Sequence, residues 1–88
     1  MPENIARIRT ILTQHARLSV NVDTLDDDSD LYGAGLTSLA TVSVMLALED
    51  HFNVEFRETM LSRRTFASLD SIAEAVAELV QSSDPLAV

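Results

Sequence analysis

Thr37-Ser-Leu-Ala-Thr-Val-Ser-Val-Met-Leu-Ala-Leu-Glu-Asp-His-Phe52 is the stretch whose reading decides the fold. At about 100° per residue, Val44, Met45, Leu48 and Phe52 fall on one stripe of a helix, wide enough to face a core. Leu39, Val42 and Leu46 form a second stripe, displaced around the axis. The spacing predicts a helix from Thr37 or Ser38 to Phe52, closed by Asp50, His51 and Asn53. Two apolar stripes allow two arrangements. Either the helix is central and covered on both sides, or Leu39 and Leu46 stand at the surface as a partner-docking patch with Val42 at its boundary.

Toward the N-terminus, Leu31 and Tyr32 lead into Gly33-Ala-Gly35, which holds both glycines of the chain and marks a turn. Before it lies Asn21-Val-Asp-Thr-Leu-Asp-Asp-Asp-Ser-Asp30, with five Asp from Asp23 onward. Asp competes locally for backbone hydrogen bonds, so this run predicts a long acidic loop, pinned to the core by Val22 and Leu25. Ile5, Ile8, Ile11, Leu12 and Leu18 recur at helical spacing and predict a first helix from Glu3 to Leu18.

Toward the C-terminus, a short helical turn is expected over Glu58 to Ser62, after Phe56. A last helix follows, with Ser68 as N-cap, Asp70 in its first turn and an apolar stripe of Leu69, Ile72, Val76 and Leu79. These elements predict an all-α bundle of three longer helices and one short one, with an unusually long acidic first loop. Residues 1–81 are expected to form the single domain, and 82–88 a flexible C-terminal tail.

The chain has 88 residues and a formal charge of -8. One small core is all that this length can build, without two lobes around a cleft. The acidity argues against nucleic acid as a partner. All six cations are Arg; Lys and Cys are absent, so no thiolate metal site and no thiol nucleophile are available. The longest apolar run, Val44 to Leu48, is far too short to span a bilayer. A soluble, cytoplasmic protein is expected, and nothing predicts an oligomer.

Asp26, Asp28 and Asp30 imitate the opening of a calcium loop, but Leu31 and Thr37 stand where that motif needs Gly and Glu. Ser38 and His51 sit at opposite ends of one helix, roughly 20 Å apart at 1.5 Å per residue, too far to act as nucleophile and base. Neither His15 nor His51 has a further ligand set for zinc. Ser38 itself has two uses. A Ser at a helix start is ordinarily an N-cap. The same place, with its free N–H groups and positive dipole end, also favours a phosphate, and a hydroxyl there is well placed to carry a phosphodiester.

Asp30-Leu-Tyr-Gly-Ala-Gly-Leu-Thr-Ser-Leu-Ala-Thr-Val42 and Leu48-Glu-Asp-His-Phe-Asn-Val-Glu-Phe56 resemble the carrier-protein family of acyl, peptidyl and aminoacyl carriers. The likeness rests on the acidic loop, the Gly three residues before the Ser, the Ser-Leu pair and the Leu-Glu-acid-x-Phe helix end. It covers roughly Ile5 to Leu79. The resemblance implies an acyl-carrier-like four-helix bundle that catalyses nothing itself. It also implies a 4′-phosphopantetheine on Ser38, installed from coenzyme A by a phosphopantetheinyl transferase. The arm's thiol would hold a carboxylic acid as a thioester, at raised effective concentration for any enzyme that docks.

The familiar fatty-acid carriers place Asp before the Ser and further acids along the same helix; here Thr37, Ala40 and Ser43 stand there. Charge complementarity chiefly sets encounter rate and partner choice, so the departure points to a dedicated partner that reads Leu39, Val42 and Leu46 by packing. Thr37, Arg63 and Arg64 complete the expected docking set. Arg63 and Arg64 read either as a solvated corner or as contacts to the pantetheine phosphate or a partner enzyme, and Phe66 reads as core. Phe56 and Met60-Leu-Ser-Arg-Arg-Thr-Phe-Ala-Ser68 are similar to small stand-alone aminoacyl carriers. Those are charged by amino acid:carrier-protein ligases related to seryl-tRNA synthetases. The implied cargo is a small amino acid such as glycine, with a fatty-acyl or polyketide cargo and acyl-transfer partners as the alternative. A purely structural interaction domain and a small hydrolase are the readings from other classes. The first would bind its partner whether or not Ser38 is modified; the second would need activity from the bare chain.

Overall fold

The computed structural model describes residues 2–82, and they are all helical or loop. Three α-helices, α1 (Pro2–His15), α2 (Ser38–Phe52) and α3 (Leu69–Ser82), alternate with 3₁₀ turns at Val22–Thr24 and Glu58–Met60. The fold is the expected all-α bundle, and the short helical turn expected over Glu58 to Ser62 is a 3₁₀ turn over Glu58–Met60 rather than a fourth α-helix. Arg57 supplies no side-chain cap, none of the three residues of the 3₁₀ turn is buried, and Leu61 at φ -85°, ψ 64° leaves helical backbone. Without a side-chain cap, and with only Met60 packed against the core, the segment stays at one tight turn.

α1 stops at His15, three residues short of the expected Leu18. Arg17 takes a left-handed backbone (φ 51°). The reversal lets Ser19 reach Ala34, whose carbonyl accepts from the Ser19 amide at 3.0 Å and from its hydroxyl at 2.8 Å. The tail expected from Ser82 lies, beyond Ser82 itself, outside the described residues.

The core is apolar throughout. Ile8 and Leu12 of α1, Val44 and Leu48 of α2, and Leu69, Ile72, Val76 and Leu79 of α3 are all buried. The α3 stripe is the one the spacing predicts, and the Ser68 hydroxyl caps that helix by accepting from the Ser71 amide at 3.1 Å. On α2, Met45 and Phe52 pack against the core at its edge. The second α2 stripe is at the surface, with Leu39 82%, Val42 48% and Leu46 55% exposed. Among the described residues no helix is long and apolar enough to cross a membrane.

The acidic first loop is held as predicted by Val22, buried, and Leu25, half-buried. Its stronger tether is Arg9 on α1. The Arg9 guanidinium donates to the Val22 and Leu25 carbonyls, both at 2.8 Å, and to the Asp27 carboxylate at 3.0 Å. The far side of the loop is tied to α3 and to the turn before it: the Asp27 carbonyl accepts from the Asp70 amide at 2.9 Å, and the Leu31 amide donates to the Ala67 carbonyl at 2.8 Å.

Replacing Arg9→Met keeps the apolar stem and removes these charged donors, and it is expected to cost about 2 kcal/mol in urea unfolding. In the same assay Leu48→Ala should cost about 2–5 kcal/mol and Leu46→Ala no more than about 0.5 kcal/mol. A comparable loss at Leu46 would place that side chain in the core.

Candidate functional site

The site is built from the turn that delivers α2. Leu31 and Leu36 are buried, and the Leu36 amide donates back to the Leu31 carbonyl at 3.0 Å, closing the turn between them. Gly35 has φ 113°, and a Cβ there would meet the Ser19 amide nitrogen at 3.0 Å. Both the backbone angle and the close approach require glycine.

Thr37 follows in extended conformation (φ -92°, ψ 166°) and is the N-cap of α2. Its hydroxyl accepts from the Ala40 amide at 3.0 Å, and its carbonyl accepts from the amide and hydroxyl of Thr41 at 2.8 and 2.7 Å. The cap is therefore Thr37, and Ser38 is the first residue inside the helix. Ser38 is exposed, and its hydroxyl makes no hydrogen bond among the described residues. The ordinary duty of a serine at a helix start has been taken over by its neighbour.

α1 packs against both other helices more extensively than α2 and α3 pack against each other. Beside α2 this leaves a depression of about 360 Å³, open to solvent, where Ser38 shares the lining with Val42, Met45, Leu61, Phe66 and Arg63. Tyr32 forms part of the same wall. Its hydroxyl donates to the Arg63 carbonyl at 3.0 Å, and the Arg63 guanidinium lies over its ring, 4.0 Å from the centroid. Phe66 is buried against Phe56, ring centroids 5.4 Å apart, so it is core as expected, with one edge in the depression.

The residues expected to act together are thus divided. Val42 and Arg63 share the depression with Ser38. Leu39 and Leu46 line grooves on the α1 side of α2, together with Ser43 and His15. Arg64 turns the other way, toward Glu74 and Glu78 of α3. Tyr32, Thr41, Met45, Leu61 and Ser62 also line the depression and were not assigned from the sequence. Tyr32 lies within the motif around Gly33, which was the available signal.

An exposed, unbonded hydroxyl beside an apolar depression with an arginine at its wall suits a phosphate-linked arm with an apolar stem. The comparisons with known proteins agree. Residues 6–79 match the family model described as phosphopantetheine attachment site. The aminoacyl carrier protein of Agrobacterium fabrum is 45% identical over 71 residues, 81% of this chain and 86% of that protein. Among solved structures, the fold is similar to a chain in the crystal structure of an engineered Bradyrhizobium japonicum glycine:[carrier protein] ligase complexed with a carrier protein from Agrobacterium tumefaciens and AMP. That match has a TM-score of 0.81 at 44% identity, covering 83% of this chain and 97% of the other. A solution structure from Agrobacterium tumefaciens matches with a TM-score of 0.73 at 41% identity, covering 89% and 94%.

The separation of cap and hydroxyl has a direct thermodynamic test. Thr37→Ala should lower unfolding stability by about 1 kcal/mol, whereas Ser38→Ala should change it by no more than about 0.5 kcal/mol. Equal losses in denaturant titrations would mean that Ser38 shares the capping role.

Proposed function

Because this chain belongs to the phosphopantetheine-attachment family of carrier proteins, we propose that it bears 4′-phosphopantetheine on the Ser38 hydroxyl and carries a small amino acid, with glycine first among the candidates. The observation that carries the site is the state of that hydroxyl: exposed, at the first position of α2, and relieved of capping by Thr37. It also occupies the Ser of the Gly35-Leu-Thr-Ser-Leu39 pattern. When attached, the arm supplies the thiol that holds an amino acid as a thioester, which a chain without cysteine cannot do alone.

The chain's own residues do the rest by positioning. Thr37 fixes the first turn of α2, so the Ser38 oxygen projects from a rigid element. Its exposure gives a phosphopantetheinyl transferase access to it. Leu39, Val42 and Leu46 offer a charging enzyme apolar side chains on the same helix, with Arg63 beside Val42 adding positive charge, whereas Arg64 faces away from them. Thr37, its hydroxyl engaged in the cap, can contribute to docking through its methyl group. The charging partner we propose is an amino acid:carrier-protein ligase, the enzyme class crystallised with the similar carrier chain. Reactions that draw on ATP and coenzyme A support a cytoplasmic setting.

Amino acid cargo is favoured over a fatty chain by the name of the similar carrier and by the shape of the site. A fatty chain gains about 0.8 kcal/mol per CH₂ only when it is buried, and the depression beside Ser38 is open to solvent. A small polar aminoacyl group needs no such shelter.

Incubation with coenzyme A, Mg²⁺ and a broad-specificity transferase should add one phosphopantetheine, read by intact-protein mass spectrometry, and none to Ser38→Ala. The holo protein should then gain glycine from a glycine:[carrier protein] ligase with ATP. Modification of Ser38→Ala, or charging only by a fatty-acyl synthetase, would overturn the assignment of site or cargo respectively.

A further inference from the structure

Arg63 differs from the paired Arg9 and Arg57, and from Arg64 beside it, in being stacked on an aromatic ring. Arg9 is paired with Asp27 at 3.0 Å and Arg57 with Glu78 at 3.5 Å. Arg63 makes no ion pair among the described residues, in a chain with fourteen acidic side chains. It is held by two contacts to one residue. The Tyr32 ring lies under its guanidinium at 4.0 Å, and the Tyr32 hydroxyl donates to its carbonyl at 3.0 Å. Tyr32 in turn packs against the core, so the brace is anchored. Neither contact neutralises the charge. An arginine stacked on an aromatic ring keeps its in-plane N–H donors free, the geometry that suits a phosphate oxygen pair.

We infer that Arg63, braced by Tyr32, is the counter-charge for a phosphodiester on Ser38 and draws the attached arm into the depression between α2 and the Leu61–Phe66 turn. This rests on the carrier reading of Ser38. The occupant is the chain's own arm, because Ser38 itself lines the depression and the link is covalent. Beyond the phosphate, the arm's geminal dimethyl group meets apolar walls from Val42, Met45 and Leu61. Arg64, adjacent in sequence but facing Glu74 and Glu78, has no such role. Arg63 is a positioning residue: it sets how often the arm lies along the protein rather than extended toward a partner, an equilibrium between two populations.

The test compares amide NMR shifts of ¹⁵N-labelled protein before and after enzymatic conversion to the holo form, with mass spectrometry confirming attachment in each sample. In the unaltered protein, shift changes should extend from Ser38 to Tyr32 and to Leu61–Phe66. In Arg63→Gln the changes at Leu61–Phe66 should shrink by about two- to fivefold, the range for losing an exposed ion pair. In Arg64→Gln they should persist. Raising the salt concentration should move the unaltered protein toward the Arg63→Gln pattern. If Ser38 is modified but changes stay within Thr37–Thr41, or if Arg63→Gln matches the unaltered protein, the inference falls and the carrier reading stands. Absence of modification at Ser38 would remove both.

Discussion

The placement of Ser38 depends on how a loop with few apolar residues is fixed to a small core. A run of aspartates cannot bury itself, and its backbone groups need partners. Arg9 meets this need from inside the bundle by holding two carbonyls and one carboxylate at once. α3 grips the other side of the loop through Asp70, and the preceding turn contributes Ala67. With both sides of the loop fastened, the Gly33–Gly35 turn has one place to end, and α2 starts there. Moving the loop would move the first turn of α2 and the hydroxyl on it.

That first turn separates two demands that one serine could not meet together. A hydroxyl bonded to backbone N–H groups is held against the helix, whereas a hydroxyl that must carry a bulky substituent has to face outward. Thr37 takes the first duty and leaves the Ser38 hydroxyl free of it, as the proposed attachment requires. The same economy appears at the other end of α2. Asn53 adopts the left-handed conformation that ends the helix, and Glu49 accepts from the Phe56 amide at 2.9 Å. The Leu-Glu-acid-x-Phe ending therefore fixes the exit of the chain from α2 and so the position of the turn that carries Arg63.

Much of this could be read from residues alone. Helical periodicity is strong in α3, whose buried stripe is unbroken, whereas α2 is legible as a helix through two apolar stripes rather than one. The acidic loop was legible from local chemistry, and the surface position of Leu39 and Leu46 followed from the excess of apolar residues on α2 over what one face can bury. Three features were not legible. The early end of α1 depends on Arg17 accepting a left-handed backbone so that Ser19 can meet Ala34, a pairing of residues far apart in sequence. The short helical turn around Glu58 was legible, but not that it stays a single 3₁₀ turn without a side-chain cap. The choice between Thr37 and Ser38 as cap lies within one residue, where sequence patterns do not resolve boundaries. In the candidate site, the motif points to Ser38, whereas Tyr32 and Arg63 come together only through tertiary contact.

Guanidinium groups account for every cationic side chain in the protein, including the one nearest the proposed attachment point. Unlike a lysine amine, a guanidinium stays protonated at any physiological pH and does not attack carbonyl carbon. An activated acyl group swinging across this surface therefore meets no side-chain amine that could capture it irreversibly as an amide. The all-arginine composition removes lysine capture from the ways in which such an ester would be lost at this surface.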